Sequence, residues 1–245
     1  MKGMKTMINL NEKDNPIVLQ YLESLDVNRF NDLEKFFYLK KHRLIHKWRN
    51  YFEIYDRHFS KFRNKEVTIL EIGVSKGGSL QMWKDYFGPK CRVIGIDIDP
   101  SCKSLEEDQI EVMIGSQDDV NFLNELKEKV PKIDILIDDG GHFMNQLKVT
   151  FENLFDHISE EGVYLCEDLH TSYWPYYGGS YKGKDSFIEY SKDFIDYINA
   201  WHSVQPELVA NSFTKSAHSL HYYDSVLVIE KRKMYIPLDL QFENL

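Results

Sequence analysis

Short β-branched runs alternate with helix-like spans through the middle of this chain, and that alternation constrains its fold more than any other feature. The runs are VTILEI (67–72), RVIGID (92–97), IEVMI (110–114), IDILI (133–137) and GVYLC (162–166). Between them lie GSLQMWKDY (78–86), DDVNFLNELKEK (118–129) and NQLKVTFENLFDH (145–157). Strand and helix repeating at this spacing predict right-handed crossover units, hence a mainly parallel sheet with helices on both faces.

The flanks read differently. Residues 17–63 are helical in character and carry no glycine or proline; Phe37, Leu44, Trp48, Tyr51, Tyr55 and Phe59 recur at helix-like spacing, predicting one long buried face. Near the other end, SKDFIDYINAWH (191–202) predicts a helix, and Leu220–Tyr223 and Val226–Ile229 flank an Asp224-Ser225 turn, predicting a hairpin. The expected whole is a Rossmann-like, doubly wound α/β fold with a seven-stranded sheet, a C-terminal antiparallel hairpin and an N-terminal helical cap. The cap takes residues 1–64 and the sheet domain residues 65–245, as one compact unit.

Composition removes several classes of function. A formal net charge of −9 argues against nucleic acid or an anionic membrane surface as a partner. The apolar runs are strand-sized, so no membrane span is expected. The first residues, MKGMKTMINLNEKDNP, have no apolar core or small-residue cleavage site of a secretory signal, and the three cysteines (Cys91, Cys102, Cys166) form no metal or disulfide pattern. Reduced thiols in a cytoplasmic protein are the expectation.

After the first strand comes EIGVSKGGS (71–79), in which Gly73 and Gly77 let the chain turn tightly and a ligand approach the backbone. The spacing is neither that of a dinucleotide-binding loop nor that of a triphosphate loop. Alone, it is equally an ordinary strand-to-helix turn. The next strand ends in VIGIDID, however, setting Asp97 where an acid accepts hydrogen bonds from ribose hydroxyls. The two together point to an adenosine-type ligand across the carboxyl edge of the sheet; Asp99 reads as a turn or cap residue.

These features, with the GSQD segment (115–118) and the terminal hairpin, resemble class I S-adenosylmethionine-dependent methyltransferases over about residues 65–231. The resemblance implies that Glu71, Gly73, Gly77 and Ser79 hold the methionine part of the donor, that Asp97 holds its ribose, and that Ser116 and Gln117 lie against its adenine.

Strand four runs into IDDGGH (137–142) and strand five into CEDLH (166–170). Neighbouring parallel strands lie roughly 4.8 Å apart, so Asp138, Asp139, Glu167 and Asp168 converge beside the donor. Carboxylates so crowded must take up protons or share a cation, and all-oxygen ligation suits a hard divalent ion, Mg²⁺ before Ca²⁺ or Mn²⁺. Any one of these acids could instead cap a helix. Because side chains alternate along a strand, Asp139 is assigned to the metal with Glu167 and Asp168, while Asp138 faces the donor. His142 is placed to take the proton of an attacking hydroxyl, or else to partner the carboxylates. The glycine-flanked aromatic loop HTSYWPYYGGSYKGKDS (170–186) offers Tyr173, Trp174, Tyr176 and Tyr177 as flat faces with polar tips, suited to a sugar ring or to an oligomer interface.

IDDGGH, EDLHTSYWPYYGG and HYYDSVLVIEK, in this order, resemble the metal-dependent sugar O-methyltransferases acting on macrolide deoxysugars and bacterial surface glycans. The resemblance implies metal ligation by Asp139, Glu167 and Asp168 with His142 as base; Gly141 stands where serine is commoner in that family. HKWRNYFEIYDRHF (46–59) resembles the helix before that family's catalytic sheet. The implied activity is Mg²⁺- or Mn²⁺-dependent transfer of a methyl group from S-adenosylmethionine to a sugar hydroxyl, on a nucleotide-linked sugar or a capsule or lipopolysaccharide precursor, with a homo-oligomer compatible with the resemblance. A catechol- or caffeoyl-type small-molecule O-methyltransferase and a non-catalytic donor-binding subunit are the rival readings. The large additional N-terminal domain of the macrolide enzymes is not expected here, which leaves room for a different acceptor.

Overall fold

A computed structural model of the chain describes residues 16, 20, 23–130 and 132–243. The helix expected from residue 17 to 25 falls mostly outside the described residues. The strands are β1 (Val67–Ile72), β2 (Cys91–Asp97), β3 (Ile110–Ile114), β4 (Ile133–Asp138), β5 (Ile158–Cys166), β6 (Ala217–Tyr223) and β7 (Val226–Lys231). They form one sheet in the order β3-β2-β1-β4-β5-β7-β6. The first five pair in parallel, whereas β7 runs antiparallel to both β5 and β6. The doubly wound sheet and its closing hairpin are thus as the sequence predicts, including the Asp224-Ser225 turn, where Ser225 takes a left-handed conformation at φ 65°.

The period of two along each strand divides the core. Ile69, Ile135, Ile137, Val163, Leu165, Val226 and Val228 face one layer, with α1 (Asp32–Leu39), α2 (Tyr51–Phe59) and α3 (Gly78–Phe87). Leu70, Leu136, Tyr164, Cys166, Leu227 and Ile229 face the other, with α4 (Val120–Lys129), α5 (Met144–Leu154) and α6 (Phe187–Asn199). A short α7 (Ser212–Ser216) leads into β6. All three cysteines are buried and free. Local chemistry starts the helices: Asn31 and Glu34 form a reciprocal capping box on α1, and Asp119 accepts from the backbone of Asn121 and Phe122 at α4. Asp99 caps the 3₁₀ turn at Pro100–Leu105, as expected for it.

The long N-terminal helix needs correction. Its two ends are helical, but residues 40–50 carry no helix and pass over the start of α3. Tyr51, Tyr55 and Phe59 are buried as predicted, Tyr55 edge-on to Trp83 at 5.0 Å. Leu44 and Trp48, which continue the same spacing, are exposed. The cause is tertiary. A Cβ at Gly78 would lie 2.4 Å from the carbonyl oxygens of both Arg43 and Leu44, so this segment rests directly on α3. Gln81 accepts from the Arg43 amide, and the Arg43 guanidinium donates to the Leu105 carbonyl and pairs with Glu107.

Candidate active site

The candidate residues lie at or just past the carboxyl ends of β1 to β5, where backbone hydrogen bonds carry the sheet one residue further at β1, β4 and β5. Gly73 donates to Ile96, Asp139 to Ile72 and Glu167 to Asp138, at 2.8–3.0 Å. Gly73 has φ 97°, and a Cβ there would meet the Asp139 carbonyl oxygen at 2.1 Å. Glycine is required at 73 for both reasons, and the glycine loop therefore touches the Asp139 strand end.

Strand phase sorts the acids. Glu71, Asp139 and Glu167 continue the rows that face the α1–α3 layer, while Asp138 continues the row facing α5. Asp138 and Asp139 therefore face opposite layers, as alternation along a strand predicts. At the centre of the first group stands a residue that sequence reasoning missed. Lys47, from the segment over α3, sends in a side chain only 2% exposed. Its Nζ lies 2.5 Å from Asp139 Oδ2, 2.9 and 3.0 Å from the two oxygens of Glu167, and 3.4 Å from Glu71. No signal in one sequence separates this lysine from the 30 Lys and Arg present.

The expected metal trio divides around it. Glu167 is buried; Tyr55 donates to it at 2.6 Å, and Lys47 holds both its oxygens. Asp168 faces outward from β5 in a left-handed conformation at φ 55° and accepts from Tyr51 at 2.7 Å. Among the described residues, the set whose ligand atoms lie within 4.8 Å of one another at this edge is Asp139, His142 and Asp168. His142, itself left-handed at φ 58°, turns Nε2 to 3.5 Å from Asp168 and 3.7 Å from Asp139, and its Nδ1 is buried without a partner. Non-glycine residues in that region of conformational space are strained, and two of them adjoin at this edge.

The electrostatics ask for more positive charge. Burial pushes the carboxyls of Glu71, Asp139 and Glu167 above their ordinary range, Glu167 far above, even though Lys47 opposes the shift in each. Burial alone would lower the Lys47 pKa; Asp139, then Glu167 and Glu71, hold it well above the usual value. One ammonium leaves the group under-neutralised. A divalent cation fits these oxygens, and this is the test a metal site must pass here.

The expected donor contacts fall into two groups. Gly73 and Gly77 both take positive φ and shape the loop. Asp97 accepts from the Val74 and Ser75 amides through Oδ2 and from Asp99 through Oδ1, so it pins the loop while keeping lone pairs for a ligand. Ser79 Oγ donates to buried Glu71 at 2.7 Å. Gln117 and Asp138, expected against the donor, are both buried in this structure. Gln117 is buried, donates to Asp138 and Thr150 at 2.9 and 3.0 Å and accepts from Gly141 at 2.8 Å, bracing the tips of β3 and β4. Burial raises Asp138 to about 7. Ser116 donates to Asp118 beside them.

The aromatic loop is folded against the rim. Tyr173 and Trp174 are each about half exposed, Tyr176 more so, and Tyr177 leans on Phe143 with ring centroids 5.3 Å apart. His170 meets Trp48 and Trp174 edge-on, and Ser225 Oγ bonds its Nδ1 at 2.6 Å. The turn of the terminal hairpin thereby carries the loop. A second cluster, His58, His221 and Glu230, lies against α2; there His58 already bonds Glu230 and Tyr223 at 2.7 and 2.9 Å.

No family model matches the chain. Among curated proteins it is 36% identical over 196 residues to the 8-demethyl-8-(2-methoxy-α-L-rhamnosyl)-tetracenomycin-C 3′-O-methyltransferase of Streptomyces olivaceus, covering 75% of this chain and 50% of that one. With the demethylmacrocin O-methyltransferase of Streptomyces fradiae the identity is 37%, over 72% of this chain and 47% of the relative. With the mycinamicin VI 2″-O-methyltransferase of Micromonospora griseorubida it is 34%, over 78% and 51%. The chain spans about half the length of the curated relatives it matches. Among solved structures, the methyltransferase MycE in complex with Mg, SAH and mycinamycin VI superposes with a TM-score of 0.74 at 31% identity, over 84% of this chain and 54% of MycE. A caffeoyl-CoA O-methyltransferase-like protein of Staphylococcus aureus, at 15% identity and a TM-score of 0.51, over 87% of this chain and 98% of that one, shares the fold alone.

Proposed function

The chain belongs to the S-adenosylmethionine-dependent sugar O-methyltransferase family, matched over about half the length of its curated members, and on that premise we propose that it methylates a sugar hydroxyl with the help of Mg²⁺ or Mn²⁺. The observation that carries this reading is the convergence of Asp139, Glu167 and Asp168 at the strand ends beside the glycine loop, with His142 between Asp139 and Asp168.

Asp139, Asp168 and Glu167 are the residues that would hold the ion. Bound there, it would supply charge to lower the pKa of the acceptor hydroxyl. The chain's own residues do the rest. Gly73 and Gly77 leave backbone room for the methionine part of the donor, and Asp97 offers its remaining lone pairs to the ribose. His142 Nε2, beside Asp139 and Asp168, accepts the hydroxyl proton as the oxygen attacks the methyl carbon and the methyl–sulfur bond breaks, the sulfonium sulfur leaving as a neutral thioether. Gln117 and Asp138 brace the ends of β3 and β4 beneath the site. The half-exposed faces of Tyr173 and Trp174 stack on the acceptor ring, with Tyr177 and Phe143 supporting them.

The names of the curated relatives favour a sugar attached to a small-molecule aglycone; a nucleotide-linked sugar or a surface-glycan precursor is the other acceptor class to be tested. The test incubates the protein, methyl donor and Mg²⁺ with glycosylated macrolides, nucleotide hexoses and catechols, and reads mass gain with and without EDTA. EDTA-sensitive methylation of a sugar is the expected result. Methylation of catechols alone, or none despite tight donor binding, would return the chain to one of the rival readings.

A further inference from the structure

Lys47 has no part in the mechanism just given, yet it is the cation that the fold itself inserts among the site's acids. Its main chain runs along the surface between α1 and α2, while its ammonium lies between three buried or half-buried carboxylates. Burying an ammonium is strongly unfavourable unless it is paired, so this placement demands the partners it has. It also consumes them: both oxygens of Glu167 and one of Asp139 face Lys47. That is why Glu167 stands apart from the set formed by Asp139, His142 and Asp168.

We propose that Lys47 is the protein's built-in counter-ion for this site and competes with the divalent ion for Asp139 and Glu167, keeping the acids together when no metal is bound and limiting metal affinity when one arrives. The proposal rests on the metal-dependent reading above. Glu71, 3.4 Å from Nζ and hydrogen-bonded by Ser79, remains as a partner for the ammonium when the other two acids are taken. A divalent ion brings twice the charge of the ammonium and can accept several carboxylate oxygens at once, so it prevails at sufficient concentration. The ammonium sets what that concentration is.

The test measures Mn²⁺ and Mg²⁺ binding by calorimetry, and thermal midpoints with EDTA or with metal, for the wild type, Lys47→Met and Lys47→Arg. Lys47→Met conserves volume and removes the charge. It is expected to melt earlier in EDTA, to recover in Mn²⁺, and to bind the ion about tenfold or more tighter than the wild type, since a unit charge a few ångströms away has been removed. Lys47→Arg keeps the charge and is expected to resemble the wild type in both readouts. Should Lys47→Met not fold without metal, Lys47→Met/Glu71→Gln removes one charge of each sign and is expected to bind the ion tighter than the wild type by a smaller factor, because Asp139 and Glu167 are freed while a nearby carboxylate is lost. Unchanged or weaker metal binding in the Met variants, with normal binding by the wild type, overturns the competition alone. No divalent binding by any of the proteins overturns both this proposal and the metal-dependent reading.

Discussion

At the scale of single residues, the site depends on side chains whose surroundings leave them something to do. His142 is the clearest: one ring nitrogen faces two carboxylates and the other is buried with no partner. A histidine held for structure alone would have both nitrogens satisfied, as His58 has between Glu230 and Tyr223. We expect His142→Ala to lower kcat by about 10²–10⁴-fold, the range of a lost general base, while calorimetry finds metal and donor binding nearly intact. A variant with near-normal kcat would remove His142 from the reaction. Part of this residue-level picture was legible in advance, because the period of two in the strands already separates Asp139 from Asp138. Lys47 was not legible: no local pattern distinguishes a lysine that bends inward from one that stays in water.

The element that most changes the site is the non-helical segment 40–50. Helical periodicity predicts a continuous helix through it, and Leu44 and Trp48 keep that period although both are exposed. What overrides the period is the seat on α3, where the absence of a side chain at Gly78 lets two carbonyls approach. Gly78→Ala should gain a little helix propensity and lose more through this backbone clash, for a net destabilisation of about 1–3 kcal/mol. Denaturant unfolding measures the loss, and limited proteolysis should show earlier cleavage within 40–50. If the variant is as stable as the wild type and cleaved no faster, the segment is not held by α3. The terminal hairpin is the opposite case, an element read correctly from its turn whose further task, supporting His170 through Ser225, belongs to the assembled fold.

For the molecule as a whole, the last strand is fastened across the sheet by a buried cation of a different kind. Lys231 Nζ, on β7, donates to the Phe155 and Ile158 carbonyls at 2.7 and 2.9 Å, at the entry to β5. Burial lowers its pKa to about 8. Between about 8 and the ordinary value of 10.5 the unfolded chain keeps a proton that the folded one has released, so this residue's contribution to stability rises with pH through that window. Stability of the wild type relative to Lys231→Met is therefore expected to climb from pH 8 to pH 10 in urea titrations, whatever constant offset the lost hydrogen bonds add. A flat difference would place the titration of Lys231 elsewhere. Among the described residues no helix is long and apolar enough to cross a membrane.

Sequence alone determined the alternation of strands and helices, the two-sided core, the hairpin that closes the sheet and the opposite facing of Asp138 and Asp139. All of these follow from periodicity and turn chemistry, which act over a few neighbouring residues. Only the tertiary structure decided that residues 40–50 leave the helix, that Lys47 enters the acid cluster, and that Glu167 is held apart from Asp168. Those outcomes depend on contacts between residues far apart in the chain, where close packing and the pairing of buried charge outweigh local preference.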